Sequence, residues 1–86
     1  MKYQVQIKKQ ASKKLNSLAT NEKHRIVEKI KWLGDNPDDV RLDIKKMAGS
    51  DSFRLRVGDW RVIFDRDDKI KVIFIEKLKS RGDVYK

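Results

Sequence analysis

The stretch from Phe53 to Phe64 limits the fold more than any other part of the chain. Phe53, Leu55 and Val57 alternate with Arg54 and Arg56, Gly58-Asp59 follows, and Trp60, Val62 and Phe64 then alternate with Arg61 and Ile63. Period-two alternation on both sides of a Gly-Asp pair predicts two antiparallel strands joined by a two-residue turn, and glycine at the first turn position suits type II′. The turn fixes the register. Val57 faces Trp60, Leu55 faces Val62 and Phe53 faces Phe64, all on one face, which has to be the core face. The opposite, solvent-facing side then sets Arg56 against Arg61 and Arg54 against Ile63.

The rest of the chain supplies elements to complete that sheet and cover it. Tyr3, Val5 and Ile7 alternate with polar residues, the pattern of a half-buried strand. Ala11, Leu15, Leu18 and Ala19 recur at helical spacing, Thr20-Asn21 interrupts, and Asn21 is placed to cap a second helix. Ile26, Ile30 and Leu33 form that helix's apolar stripe, with Val27 at its edge, and Gly34, Asn36 and Pro37 stop it. The stripes of such a helical hairpin need a sheet to pack on. Trp32 points about 120° from Ile26 at helical spacing, so it either caps the hydrophobic rim or is exposed to a partner. Residues 37–51 carry little periodicity and read as a short turn of helix around Leu42–Met47 or as a functional loop. Asp65–Lys69 reads as a second turn, and Ile70–Ile75, apolar on both faces, as a central strand. The tail from Lys79 is polar. The expected fold is α+β in the order β-α-α-β-β-β, a helical hairpin on one face of a mainly antiparallel sheet.

Composition narrows what such a domain can do. Eighty-six residues leave room for one domain, 1–86, and no second core. Lys and Arg number 22 against 13 Asp and Glu, a net charge of +9, yet 38% of the chain is hydrophobic, which argues against a disordered basic tail. No apolar run is long enough to span a bilayer, and Met1–Gln6 lacks the apolar stretch of a signal peptide. The absence of cysteine excludes a disulfide framework and fits a cytoplasmic protein; with a single histidine it also argues against a zinc site. The charge is uneven: residues 1–31 carry +7, residues 32–44 carry −3 and residues 45–86 carry +5. Excess positive charge points to a polyanion, most often nucleic acid, or to an acidic protein.

The arginine face of the hairpin is the most informative use of that charge. Like charges directly opposite on a sheet cost from a few tenths to about 1 kcal/mol. Either the arginines are solvated or neutralised by Asp65, Asp67 or Asp68, or they form an anion site in which guanidinium forks hold phosphate. Arg81 and Tyr85 near the end of the chain add a further cation and an aromatic plate on which a base could stack. Lys45, Lys46, Lys77 and Lys79 extend the candidate RNA track. No Ser/His/Asp or Cys/His pairing, phosphate-binding glycine loop or calcium loop assembles, His24 reads as a solvated surface residue, and no cofactor or metal is implied.

These residues resemble the RelE/ParE superfamily of toxins from type II toxin–antitoxin modules. Lys46-Met47-Ala48-Gly49, the run Phe53–Phe64 and Arg81-Gly82-Asp83-Val84-Tyr85 are similar to the family patterns K-L-x-G, R-x-R-x-G-x-Y/W-R followed by apolar residues, and R-x-x-x-Y. The resemblance runs nearly end to end and implies a RelE-like, microbial-ribonuclease-like fold. RelE-type members are ribosome-dependent endoribonucleases, and the implied partner is the 70S ribosome with mRNA in its decoding site. Cleavage there proceeds by attack of the ribose 2′-hydroxyl on the adjacent phosphate, leaving a 2′,3′-cyclic phosphate. The resemblance puts Arg54 and Arg56 where RelE carries two basic residues and Arg61 on the arginine that steadies the phosphate. Arg81 falls on the residue that protonates the leaving oxygen, and Tyr85 on the tyrosine that stacks on the mRNA. It also implies a small acidic antitoxin as partner, which a +9 surface would capture fast and in a salt-sensitive way.

One departure concerns the general base, a lysine in RelE. The corresponding residue here is Arg54, and arginine does not deprotonate in a protein. The base then falls to Tyr85, to a lysine such as Lys45 or Lys46, or to no single residue, with crowded cations lowering the pKa of the 2′-hydroxyl. The alternative is a ParE-like toxin, which shares the fold and much of the arginine pattern but binds and inhibits DNA gyrase without catalysis.

Overall fold

The sheet is built outward from the Gly58-Asp59 turn. The computed structural model describes residues 2–80, with β1 (Gln4–Ile7), α1 (Lys9–Asn16), α2 (Thr20–Asp35), β2 (Ile44–Lys46), β3 (Phe53–Val57), β4 (Trp60–Asp67) and β5 (Val72–Ser80). Gly58 has φ +59°, and among the described residues Lys71 alone of the non-glycines has positive φ, so only the first turn position is left-handed, as type II′ requires. The register of β3 and β4 is the one expected: Val57 opposite Trp60, Arg56 opposite Arg61, Leu55 opposite Val62, Arg54 opposite Ile63 and Phe53 opposite Phe64.

Five strands lie in the order β1-β5-β4-β3-β2, one more than expected. The addition is β2, which pairs antiparallel with β3 through Ile44–Leu55, Lys45–Arg54 and Lys46–Phe53. It replaces the helical turn or loop expected between Leu42 and Met47. Three residues are too short to show a periodicity, and what holds them extended is the edge of β3. The first strand, β1, runs parallel to β5, making β5 an inner strand, while the other pairings are antiparallel.

Two boundaries also differ. Expected to turn at Asp65–Lys69, β4 continues to Asp67, and the chain reverses before Val72 with Lys71 at φ +56°. The continuation is anchored by Arg66, which donates to Asp68 and Asp38 and lies beside Tyr3. Ile70, expected to begin a covered strand, sits in this turn and is exposed. The second difference is at α2, which starts at Thr20 with Ala19 as its cap residue, so Asn21 lies inside the helix instead of capping it. The first helix has already ended at Asn16. Ser17 donates its hydroxyl to the Lys14 carbonyl, Leu18 folds back to pack against the core, and Ala19 is exposed.

Both helices cover the apolar face of the sheet. Ala11 and Leu15 of α1 join Ile26, Ile30 and Leu33 of α2 in one cluster with Leu55, Val57, Val62, Phe64, Ile73, Ile75 and Leu78. Gly34, in the last turn of α2, is where helix and sheet come closest. A Cβ there would stand 2.8 Å from Val5 Cγ2, and its carbonyl accepts from Tyr3 N at 2.6 Å. Trp32 packs at the rim with Lys29 Nζ 3.9 Å and Arg41 Cζ 4.3 Å from its ring centroid, the geometry of cation–π contacts. No helix among the described residues is long and apolar enough to cross a membrane.

Candidate functional site

Strand pairing carries the arginine face across the sheet. Lys45 of β2 stands opposite Arg54 of β3, which stands opposite Ile63 of β4, which stands opposite Lys77 of β5. A second row runs Asp43, Arg56, Arg61, Lys79, its first link being the Arg56 N–H donated to the Asp43 carbonyl at 2.9 Å. Residues paired across a sheet share a face, so both rows lie opposite the helices.

The rows reach β5 because of a bulge. Phe64 pairs with Ile75 but Ile63 pairs with Lys77, leaving Glu76 as an extra residue. Up to Ile75 the odd-numbered residues Ile73 and Ile75 point to the core; after it the phase reverses, Leu78 is buried, and Lys77 and Lys79 turn to the cationic face. Lys46 is different. It pairs with Phe53, which places it on the helix side of the sheet and removes it from the track expected from the sequence.

Asp43, Lys45, Arg54, Arg56 and Arg61 line a cleft of about 90 Å³. Arg61 was expected to be solvent-facing but is only 4% exposed. Its Nη1 donates to the carbonyls of Gly58 at 3.0 Å and Trp60 at 3.1 Å, so the hairpin turn holds the guanidinium in place. No hydrogen bond within the described residues engages its Nε or Nη2. The turn therefore fixes the geometry of the guanidinium beforehand, the arrangement that suits a phosphate oxygen. Arg54 is half-buried and Arg56 exposed.

The acids that could have neutralised these arginines are used elsewhere. Asp65 accepts from the Ser52 hydroxyl, Asp67 from the backbone N–H of Lys69 and Ile70, and Asp68 from Tyr3 and Arg66. The ion pairs within the described residues, Arg41–Asp39, Arg66–Asp38 and Arg66–Asp68, all lie outside the cleft. Asp39 is held down to about pKa 2 by hydrogen bonds from Arg41, and the Asp68 carboxyl is lowered by hydrogen bonds from Arg66 and Tyr3.

Two features escaped the sequence reading. Asp43 was absorbed into a net-acidic segment, although its position two residues before Lys45 puts it on the same strand face. Lys13 and Lys14 were read as solvated helix surface, but with Lys77 and Lys79 they border a groove of about 440 Å³ between α1 and β5. Arg81 and Tyr85 lie outside the described residues. His24 is exposed on α2. No group of three or more His, Cys, Asp or Glu among the described residues could hold a metal ion.

A two-helix layer on one face of a five-stranded sheet, with a cationic cleft on the other, defines a small α+β domain. Comparison with known proteins places it further. The chain belongs to the RelE/ParE superfamily of toxins, residues 5–85 matching the family described as ParE toxin of the type II toxin–antitoxin system parDE. It is 37% identical over 90 residues to a Methanocaldococcus jannaschii protein named toxin RelE1, a match covering 100% of this chain and 98% of that protein. The fold is similar to that of a chain in the archaeal RelE–RelB complex from Pyrococcus horikoshii OT3, with a TM-score of 0.83, 41% identity, and 95% of this chain and 98% of that one covered. A chain of the RelB–RelE antitoxin–toxin complex from Methanococcus jannaschii shares the fold at 24% identity, with a TM-score of 0.75 and coverage of 92% and 93%.

Proposed function

We propose that this protein is the toxin of a RelBE-type toxin–antitoxin system and acts as a ribosome-dependent endoribonuclease on mRNA. The observation that carries the reading is the pair of cross-strand rows that bring Lys45, Arg54, Arg56 and Arg61 to one cleft, none of them in an ion pair among the described residues. Attack of a 2′-hydroxyl on the adjacent phosphate builds up negative charge on the phosphorane. Guanidinium groups already fixed in place stabilise that charge without reorganising, a contribution of about 3–4 kcal/mol where a single such donor has been removed from other enzymes. Arg61, tied to the turn carbonyls, is the best fixed of them. Lys77 and Lys79 continue the positive surface toward the flanking nucleotides, while Arg81 adds a cation that stabilises charge on the leaving oxygen and Tyr85 an aromatic plate for stacking on mRNA.

An acidic antitoxin neutralises the toxin, and its affinity falls as ionic strength rises, because most of the attraction comes from exposed charge. Mapping of mRNA 5′ ends after brief induction in cells tests the proposal. New in-frame ends with wild type and none with folded Arg61→Ala support it. Intact mRNA together with inhibition of supercoiling by purified gyrase would replace it with the ParE-like activity.

A further inference from the structure

The residues that line the cleft include one carboxylate, Asp43. It is exposed, and its carbonyl accepts the Arg56 N–H at 2.9 Å, which continues the β2–β3 ladder and sets Asp43 beside Arg56 on the cationic face. Asp38, Asp39 and Asp68 each form an ion pair, whereas Asp43 has no ion-pair partner among the described residues despite its cationic neighbours. An ionised carboxylate only accepts hydrogen bonds, and among the described residues no donor engages its oxygens.

We propose that Asp43 is the proton acceptor of the cleavage step; this rests on the RNA-cleaving reading above. The Asp43 carboxylate takes the proton of the ribose 2′-hydroxyl as the 2′-oxygen forms its bond to phosphorus. The bond from phosphorus to the 5′ oxygen breaks, that oxygen leaves with a proton from solvent, and the products are a 2′,3′-cyclic phosphate and a 5′-hydroxyl end. Arg54, at the position of the family's basic residue, has no accessible neutral form, so the acceptor is a separate group. The cations lining the cleft favour the 2′-oxyanion and ease removal of its proton.

The test is single-turnover cleavage of mRNA on programmed ribosomes by purified wild type, Asp43→Asn and Asp43→His, each shown to be folded by thermal unfolding. Asp43→Asn is expected to lower the rate about a hundredfold or more, the usual worth of a positioned base, while binding to the programmed ribosome changes by less than about twofold. Asp43→His is expected to recover part of the rate with an acid limb near the ordinary imidazole pKa of about 6.5. Asp43→Asn within about twofold of wild type overturns the proposal. A loss in Asp43→Asn that histidine does not recover in a pH-dependent way also overturns it, because it makes Asp43 a positioning group. Wild type that leaves ribosome-bound mRNA intact is a different result: it removes the RNA-cleaving reading, and this proposal with it.

Discussion

Arg56 and Arg61 stand directly opposite each other on β3 and β4, and neither is in an ion pair with an acid among the described residues. Their environments differ. Arg61 is buried and tied to the carbonyls of Gly58 and Trp60, whereas Arg56 is exposed, with Asp43 on its other side. The pair is a local cost to the sheet that the proposed activity explains, and the two arginines should respond differently to substitution.

Replacing Arg56 with threonine removes the like-charge contact and leaves a good strand former. Stability is expected to rise by a few tenths to about 1 kcal/mol, most at low ionic strength, while mRNA cleavage falls. Urea unfolding at two salt concentrations, run beside the cleavage assay, reads both effects.

Replacing Arg61 with alanine has the opposite sign for stability. The Gly58 and Trp60 carbonyls lose their donor, for a loss of about 1–3 kcal/mol. The cleavage rate should fall by about a hundredfold to a thousandfold, as for other prearranged donors to transition-state charge. Thermal unfolding separates the folding effect from the catalytic one, and Arg61→Lys should not restore full activity because one ammonium cannot hold both the turn and a phosphate.

Neighbouring lysines should separate by strand face. Lys45 lies on the cationic face opposite Arg54, and Lys46 on the helix face opposite Phe53. Lys45→Ala is expected to weaken cleavage and its salt dependence, while Lys46→Ala leaves both within about twofold. Equal effects of the two substitutions would place the RNA off this face.

Gly34→Ala tests the closest helix–strand approach. Its Cβ would stand 2.8 Å from Val5 Cγ2, so the Val5 side chain or the elements that carry it must shift, at a cost of about 1–3 kcal/mol. Val5→Ala in the same chain should recover part of that loss, which a double-mutant cycle by urea unfolding measures.

Acid should weaken the fold through Asp39 and Asp68. Both have lowered folded pKa values, Asp39 falling from 3.8 to about 2. Below the unfolded pKa the unfolded chain binds more protons than the native one. The stabilisation is therefore present above about pH 4 and is lost as pH falls toward 2. Unfolding temperature should drop over that window, and less steeply in Asp39→Asn and Asp68→Asn.

Much of the fold was legible because its central signal is local. Two alternating runs around Gly58-Asp59 fix a register with no information from elsewhere, and all five cross-strand pairs of β3 and β4 follow from it. The short strand β2 was not legible, since Ile44–Lys46 is held extended by residues 53–55 and shows no pattern of its own. The same gap hid Asp43 and misplaced Lys46, because the face of an edge strand is known only once its partner is known.

The sequence by itself determined the hairpin, the apolar stripes of both helices and the concentration of arginine on one strand face, since each depends on the period of a short segment. Only the tertiary structure decided which other residues share that face. Pairing of β2 brought in Lys45 and Asp43, the bulge at Glu76 reversed the phase of β5 so that Lys77 and Lys79 joined them, and the turn carbonyls drew Arg61 out of solvent. Each of these rests on hydrogen bonds whose partners, and whose number per strand, are set by chain folding beyond the reach of local periodicity.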